Sequence, residues 1–447
     1  MASNGRSAGR RAAPILFGQN GWSLASVFCV YAYQGLVAGF AVAALPNHHA
    51  GLGASASEVA WHSVVVGLPW VLQPAWGPLV DRFGDFRMGR RRFWAVAALL
   101  GSVVALLALL AAAAGDPEGL PLAAISPLLA AHSALAALLD TALDGMVIDR
   151  VPPEGLGRAN ACTRAGLVSG VAVGTALFAS VLPMEHGLQA AAASLAAAGA
   201  LAAVLPILVR EDAADAWFSL RRRPRASGDT GPARSPPLPR LLRRFLAPML
   251  RRESLALVAF CLAVEGAVAV VQLRTGLELI QRRGWDAESL SRWQAGFGLL
   301  SGTVGAFAVG WWSDRLGALR GLSAVLLFTA AAHGAVAFAL AAGAEASAPL
   351  AVAMASALPV LIFVALAPTV MRASRGPGAA TRFALFMAAL NLGGVGGNAA
   401  AGMLGAGVPL WGPVLAAGCV YAGCAMIARR PRLLFRRAVA AAPAAGG

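Results

Sequence analysis

The sequence contains no lysine. All 36 of its basic residues are arginine. A phosphate-binding P-loop needs the Lys of its Gly-Lys-Ser/Thr run to hold the nucleotide phosphates. This absence excludes a P-loop ATP site, and we predict a protein that carries no such site and needs no cofactor.

Charged residues of either sign are scarce as well. They form 13% of the 447 residues, against about 25% in soluble domains, while hydrophobic residues form 58%. The five cysteines lie in or beside apolar runs, and their spacing does not match a metal site. This composition excludes an ordinary soluble enzyme and predicts a membrane protein without a bound metal.

Long apolar runs follow one another along the whole chain. A transmembrane helix needs about 20 mostly apolar residues, and twelve runs between charged or Pro/Gly-rich breaks are long enough. We therefore predict an all-α membrane protein. The predicted spans are 21–46, 57–80, 93–114, 120–148, 160–182, 188–209, 254–277, 289–312, 320–342, 348–371, 380–404 and 409–428.

A short motif occurs once in each half of the chain. Trp76–Gly84 reads WGPLVDRFG and Gly310–Gly317 reads GWWSDRLG, and each closes an apolar run and opens a basic loop. Such duplication is typical of membrane proteins built from two related halves. It predicts two pseudo-symmetric six-helix bundles with both motif loops on the same side of the membrane.

The motif and the spans divide the chain into five segments. These are an N-terminal segment 1–20, a first bundle 21–209, a linker 210–253, a second bundle 254–428 and a tail 429–447. The linker's Pro/Ser/Gly/Arg-rich middle, from Arg221 to Pro239, predicts a disordered tether. Residues 241–250 mix apolar and basic side chains and are expected to lie on anionic lipid.

The net charge of +15 is distributed as membrane topology requires. Both termini, and the loops and span ends that follow even-numbered spans, carry all but four of the arginines; we call this the arginine-rich side. By the positive-inside rule this side is cytoplasmic, which predicts an inner-membrane protein with both termini inside the cell. Because the arginines are spread over loops, nucleic-acid binding is not predicted.

These motifs resemble the major facilitator superfamily, whose loops 2–3 and 8–9 carry a G-x-x-x-D-R-x-G-R-R-type signature. Here it spans Gly77 to Gly84 with Arg90-Arg91-Arg92, and recurs at Gly310–Gly317. Residues 52–94 and 139–160 are also similar to the AmpG-type branch, which includes muropeptide permeases, siderophore permeases and acetyl-CoA carriers. One position departs from that branch, where a Lys often follows the Leu-Pro-Trp of the second span and this chain has Gln73.

The resemblance implies a gate on the arginine-rich side. Asp81 and Asp314 are expected to accept hydrogen bonds from a helix N-terminus of the opposite half in the outward-open state, while adjacent arginines meet acidic groups. The predicted gating residues, which lie at the ends of the second and eighth spans and in the loops that follow them, are Gly77, Asp81, Arg82, Gly84, Arg90, Arg91, Asp314, Arg315 and Gly317.

Two acids in the fourth span are candidates for proton coupling. Asp140 and Asp144 are four residues apart, so both carboxyl groups lie on one helix face. Two like charges this close cannot both ionise cheaply in a dry environment, which favours exchange of a proton near neutral pH. The alternative is a pair that waters or neighbouring arginines order for packing alone.

Two further charges lie inside predicted spans, where a charge costs at least about 2.5–3.5 kcal/mol. Arg164, in the fifth span, is predicted to pair with Asp144 or Asp140; the alternative is an arginine that reaches the lipid headgroups. Glu265 is the acid deep in the second half, and we predict a role in the cavity and in proton coupling.

Neutral polar side chains in the spans are candidates for binding a polar solute. Each of them alone is equally explained by a hydrogen bond between helices. The predicted substrate-binding residues are Tyr33, Gln34, Gln73, Gln272, Asn391 and Asn398.

Together these features predict a monomeric secondary transporter in the lipid bilayer that imports a polar solute with protons by alternating access. The resemblance favours muropeptides, with a siderophore as the next alternative. A drug or metabolite exporter and a non-transporting membrane assembly factor of the same fold remain open, although buried acids argue against the last.

A reporter fused after Pro236 tests the topology. The linker holds eleven arginines, so we expect it to lie in the cytoplasm. A reporter that is active only after export should be inactive at this position and active when fused after Asp116, in the loop between the third and fourth spans. Export-dependent activity after Pro236 would contradict the predicted orientation.

Overall fold

The computed structural model describes residues 16–17, 21–116, 119–151, 156–223, 251–374, 379–404 and 407–430. Within these ranges twelve helices are long and apolar enough to cross a membrane, which confirms the predicted all-α architecture. In chain order they are α1 (Ser23–Gly51), α2 (Ala56–Arg82), α3 (Arg92–Ala114), α4 (Leu122–Arg150), α5 (Ala161–Val181), α6 (Gly187–Leu208), α7 (Arg252–Arg282), α8 (Ala287–Ser313), α9 (Ala318–Ala341), α10 (Ser347–Ala373), α11 (Arg382–Met403) and α12 (Trp411–Ala428).

The two halves repeat the same helix packing. In the first half α1 packs against α5, and α3 packs against α4 and α6. Six helices later α7 packs against α11, and α9 packs against α10 and α12. Glycines allow the closest pairs to form, because a side chain at Gly170 or Gly397 would collide with the backbone of α1 or α7 respectively.

Helix α1 is longer than its sequence suggested. The predicted span ended at residue 46, yet the helix continues through Pro46 to Gly51. A proline inside a helix removes a backbone hydrogen bond and crowds the preceding turn. Here the turn before it, Phe40–Ala44, widens into a π-helix, which accommodates the proline and keeps the helix continuous.

The halves contact each other through α2 with α11 and through α5 with α8. Away from the arginine-rich side these contacts are joined by hydrogen bonds. The Asn47 amide of α1 donates to Ser291 Oγ and to Gln294 Oε1 of α8, both at 2.8 Å. Gln281 at the end of α7 donates to the carbonyl of Ala54 at 2.7 Å. The bundle is therefore closed at its arginine-poor end.

The first part of the predicted linker packs on the first half. Glu211 accepts hydrogen bonds from the backbone N–H groups of Arg90, Arg91 and Arg92, which begin α3. Arg92 is fully buried and donates to carbonyls at the end of α6, including Pro206 at 2.6 Å. Residues 210–223 thus belong to the first bundle, whereas the rest of the predicted tether lies outside the described residues.

Substitution of Arg92 by Leu tests this connection. The change leaves the last carbonyls of α6 without their buried donor, and loss of one partner from such a network costs about 3 kcal/mol or more. We expect the thermal unfolding midpoint in detergent to fall by roughly 5 °C or more. Arg87→Leu removes the same charge from an exposed side chain and serves as the control. Equal midpoints for the two variants would contradict the assignment.

Candidate functional site

The two acids of α4 form the centre of a polar cluster. Tyr31 of α1 donates its hydroxyl hydrogen to Asp144 Oδ1 at 2.5 Å, and Gln73 of α2 donates to Asp140 Oδ2 at 2.6 Å. Tyr31 is almost completely buried. The pair is therefore held by side chains from two neighbouring helices, which fixes both carboxyl groups on the same face of α4.

The position of Gln73 depends on local backbone chemistry. Pro69 and Pro74 lack the N–H groups that would continue the α-helical ladder. Helix α2 accordingly tightens into a 3₁₀ turn over Gln73–Ala75 before it resumes at Trp76. This turn presents the Gln73 amide to Asp140 of α4.

Arg164 of α5 is the cation of the cluster. It interacts electrostatically with Asp140, with Tyr31 and with Asp144. Its guanidinium also lies over the ring of Phe363 in α10, 4.3 Å from the ring centroid. Since α10 belongs to the second half, the cluster lies where the two halves meet.

The cluster is not completely enclosed by protein. Asp144 and Arg164 both keep accessible surface, although each lies within a span that packs against other helices. Neither side chain can face lipid without losing the contacts to Tyr31 and Phe363. The two charged groups therefore line an internal crevice.

Glu265 of α7 is a separate acidic position in the second half. It packs beside Gly393 and Gly394 of α11, and a larger residue at Gly393 would crowd both Glu265 and the backbone of Leu262. Cys261 and Tyr421 lie within electrostatic range. Among the described residues no hydrogen bond or ion pair to Glu265 is present.

Three predicted substrate-binding residues instead form bonds between helices. The Tyr33 hydroxyl is 2.8 Å from Ser102 Oγ, and Gln34 donates to the Ala136 carbonyl at 3.4 Å; both side chains are buried within the first half. Gln272 donates to the Ala355 carbonyl at 3.1 Å in the second half. For these three the geometry favours the packing alternative.

The two asparagines of α11 have different surroundings. Asn391 donates to the Trp70 carbonyl of α2 at 3.1 Å and so joins the two halves near the middle of both helices. Asn398 is half-buried and makes no hydrogen bond within the described part of the chain. Of the six predicted residues, Gln73 is the one that the structure brings into the acidic cluster.

The predicted gate on the arginine-rich side is held within the first half. Asp81 pairs with Arg90 at 3.0 Å and with Arg91 at 3.5 Å, and Arg91 also reaches Asp149 at 2.7 Å. The predicted contact of Asp81 with the opposite half belongs to the outward-open state. In this structure the described hydrogen bonds between the halves lie at the arginine-poor end and at Asn391, near the middle of the bundle.

The remaining gate residues of the first half surround these ion pairs. Gly84 packs against the Arg90 side chain, so a larger residue would displace that arginine. Arg82 lies 5.9 Å from the Phe83 ring centroid. Gly77 has open space around it, and the structure gives no packing reason for its identity.

The second copy of the motif ends α8. Arg315 stacks on Trp311, with its guanidinium carbon 3.4 Å from the ring centroid. Gly317 has a φ of +83°, a conformation that favours glycine and that stops the helix. The side chain of Asp314 lies outside those described.

Several site residues were not predicted from the sequence. Tyr31, Phe363 and Asn47 each act through a partner on another helix. Tyr31 was detectable in principle as a polar aromatic in an apolar span. Phe363 and Asn47 carry no such signal, because their role arises from the contact between halves.

No group of three or more His, Cys, Asp or Glu side chains suited to a metal ion occurs in the part of the chain that the structure describes.

The sequence matches the model of the Major Facilitator Superfamily over residues 25–398. The chain belongs to this superfamily, which makes it a multi-pass membrane transporter and not an enzyme.

Solved transporters share the fold at low sequence identity. The nucleoside transporter NupG is 12% identical with a TM-score of 0.62, covering 92% of this chain and 99% of its own. The peptide transporter POT is 13% identical with a TM-score of 0.63, covering 94% and 97%. A bacterial homologue of the human lysosomal transporter Spinster, in an inward-facing and unoccupied conformation, is 14% identical with a TM-score of 0.58, covering 92% and 95%. These similarities show the fold alone.

Two variants test which residues close each end of the bundle, because they should shift the equilibrium between the two open states in opposite directions. Asn47→Ala removes the amide that joins the halves at the arginine-poor end, so this end should open more often. Asp81→Asn removes the acid of the other gate and should favour the state seen here. Distances between spin labels across each end measure both shifts. Gln189→Ala removes an amide that bonds within the first half near the arginine-poor end, at 3.0 Å from the Ala113 carbonyl, and should shift neither. Unchanged distances in Asn47→Ala would refute the closure.

Proposed function

We propose that this protein imports a polar solute together with a proton across a bacterial inner membrane by alternating access. The observation that carries the proposal is the Asp140–Asp144 pair, which is bonded to Tyr31 and Gln73 inside the bundle and keeps accessible surface there. An acid pair in the bilayer interior that served packing alone would destabilise the fold without supplying a function. A coupling site needs a group that can take up and release a proton, which the pair supplies.

Proton coupling follows from the geometry of the pair. Two carboxyl groups one helical turn apart favour a shared proton, since full ionisation of both would place two like charges side by side. Tyr31 and Gln73 donate to the oxygens that remain negative, and Arg164 balances the charge. A proton taken up on one side of the membrane is then released on the other after the halves reorient.

The conformation of the bundle is one that an importer must visit. Closure at the arginine-poor end leaves the crevice to open on the arginine-rich side, which the positive-inside rule assigns to the cytoplasm. The structure then corresponds to the state that releases solute into the cell. We further propose that one chain forms the complete transport unit, since both halves contribute to the cluster.

Muropeptides are the proposed solute. The similarity of residues 52–94 and 139–160 to the AmpG-type branch supports this choice, and a siderophore is the second candidate for the same reason. A metabolite exporter would use the same cluster in the opposite direction. A non-transporting assembly factor is disfavoured, because it has no need of charged groups in a solvent-filled crevice.

Asp140→Asn and Asp144→Asn test the coupling. Asparagine keeps the size and hydrogen bonding of the acid but cannot bind the coupling proton. In proteoliposomes with an inward proton gradient, each variant should lose accumulation of labelled muropeptide. Counterflow at saturating solute should survive, because exchange requires reorientation of the loaded carrier and no net proton movement.

Glu185→Gln provides the matched control, since Glu185 is an exposed acid in a loop and should leave accumulation unchanged. Labelled ferric siderophore is compared in the same vesicles. If both Asp variants still concentrate solute, the pair is structural and Glu265 becomes the candidate coupling acid. If wild-type protein moves neither compound, the proposed solute class is wrong.

A further inference from the structure

Arg164 has hydrogen-bond donors that the protein does not use. Its guanidinium carbon lies 4.3 Å from the centroid of the Phe363 ring, a cation–π contact that uses none of its N–H groups as hydrogen-bond donors to oxygen. Among the residues that the structure describes, no carbonyl, carboxylate or hydroxyl oxygen accepts a hydrogen bond from Arg164. The side chain nevertheless keeps accessible surface inside the bundle. An arginine in this setting has a vacant set of charge-assisted donors.

We propose that Arg164 binds an anionic oxygen group of the transported solute, and that it does so when the Asp140–Asp144 pair has taken up its coupling proton. This inference rests on the proposed function and specifies the chemistry of the solute. Planar guanidinium donors match carboxylate and phosphate oxygens, which accept two parallel hydrogen bonds. The solute must therefore carry at least one such group.

Charge balance explains why the two events are linked. When the acid pair shares one proton, its remaining negative charge offsets that of Arg164. A second proton leaves the arginine uncompensated, and an anionic group then restores neutrality. The empty site and the loaded site thus carry the same net charge, which avoids the cost of moving an unbalanced charge through the bilayer. One proton accompanies each anionic group.

The charged neighbours of the cluster are few. Tyr31 faces it from α1, and α2 contributes the neutral Gln73. From the start of α3, Arg91 lies against Gly145, the residue that follows Asp144, and is paired with Asp81 and Asp149.

Charged residues farther from the cluster are already paired with one another. Arg150, at the end of α4, pairs with Asp212. Helix α8 packs on α5 and carries Glu288 and Arg292, which pair near the arginine-poor end. Phe363 from α10 is not titratable. The pH response of anion binding is therefore expected to come from Asp140 and Asp144.

Inorganic sulfate is a suitable probe, because its charge stays constant over the pH range of interest. Purified full-length protein is titrated with sulfate at constant ionic strength, and thermal stabilisation gives the affinity. Wild type should bind sulfate more tightly at mildly acidic than at mildly alkaline pH. Arg164→Gln should weaken binding by about tenfold or more, as expected for the loss of a charge-assisted contact.

The control variant removes an arginine that is paired and lies away from the acidic cluster. Arg282→Gln eliminates the same charge from an exposed ion pair with Glu278, outside the cluster, and should leave the sulfate affinity unchanged. The double variant Asp140→Asn with Asp144→Asn should bind sulfate at least as tightly as acidic wild type, and with no pH dependence. A structural role of Arg164 would not produce that gain.

Three results would overturn the inference. They are equal sulfate affinity in wild type and Arg164→Gln, an equal loss in Arg282→Gln, and a double variant that keeps the wild-type pH response. The sulfate titration needs no knowledge of the natural solute, so it is independent of the uptake assay. Failure of muropeptide uptake would refute the proposed solute and leave the anion site standing. Failure of the sulfate response would refute the anion site and leave the proposed solute standing.

Discussion

The cost of placing charge inside a bilayer is the constraint on which this structure depends. An isolated charge at the centre of a membrane helix costs at least about 2.5–3.5 kcal/mol. Asp140 and Asp144 are tolerated because Tyr31, Gln73 and Arg164 surround them, each from a different helix. The positions of α1, α2 and α5 around α4 are thus set by one polar cluster as well as by apolar packing.

The two ends of the bundle differ in whether their polar contacts join the halves. At the arginine-poor end Asn47 meets Ser291 and Gln294, and Ser180 of α5 bonds to Glu288 and Arg292 of α8. Ion pairs around Asp81 occupy the other end and remain within one half. Neutral hydrogen bonds are little affected by salt, whereas exposed ion pairs are screened within a Debye length. Salt is therefore expected to weaken the ion pairs around Asp81 more than the bonds of Asn47.

Much of this architecture could be predicted from the sequence, because the signals are local. Apolar runs gave the helices, and the spacing of Asp140 and Asp144 placed both acids on one face. The choice between Tyr31 and Tyr33 was not local, since residues two apart differ by about 200° around a helix and packing decides which one faces α4. Asn47, Phe363 and the connection of Glu211 to α3 depend on contacts far apart in sequence, which composition cannot reveal.

The connection of Arg92 and Glu211 also defines where the polypeptide divides. Residues 210–223 look like linker in composition, yet they supply the carboxylate that caps α3 and carbonyls that Arg92 binds. A first half that ended at Val209 would lose these groups and expose the ends of two helices. The contacts of the first bundle extend to at least Arg223, so a split of the chain into two halves should fall beyond that residue.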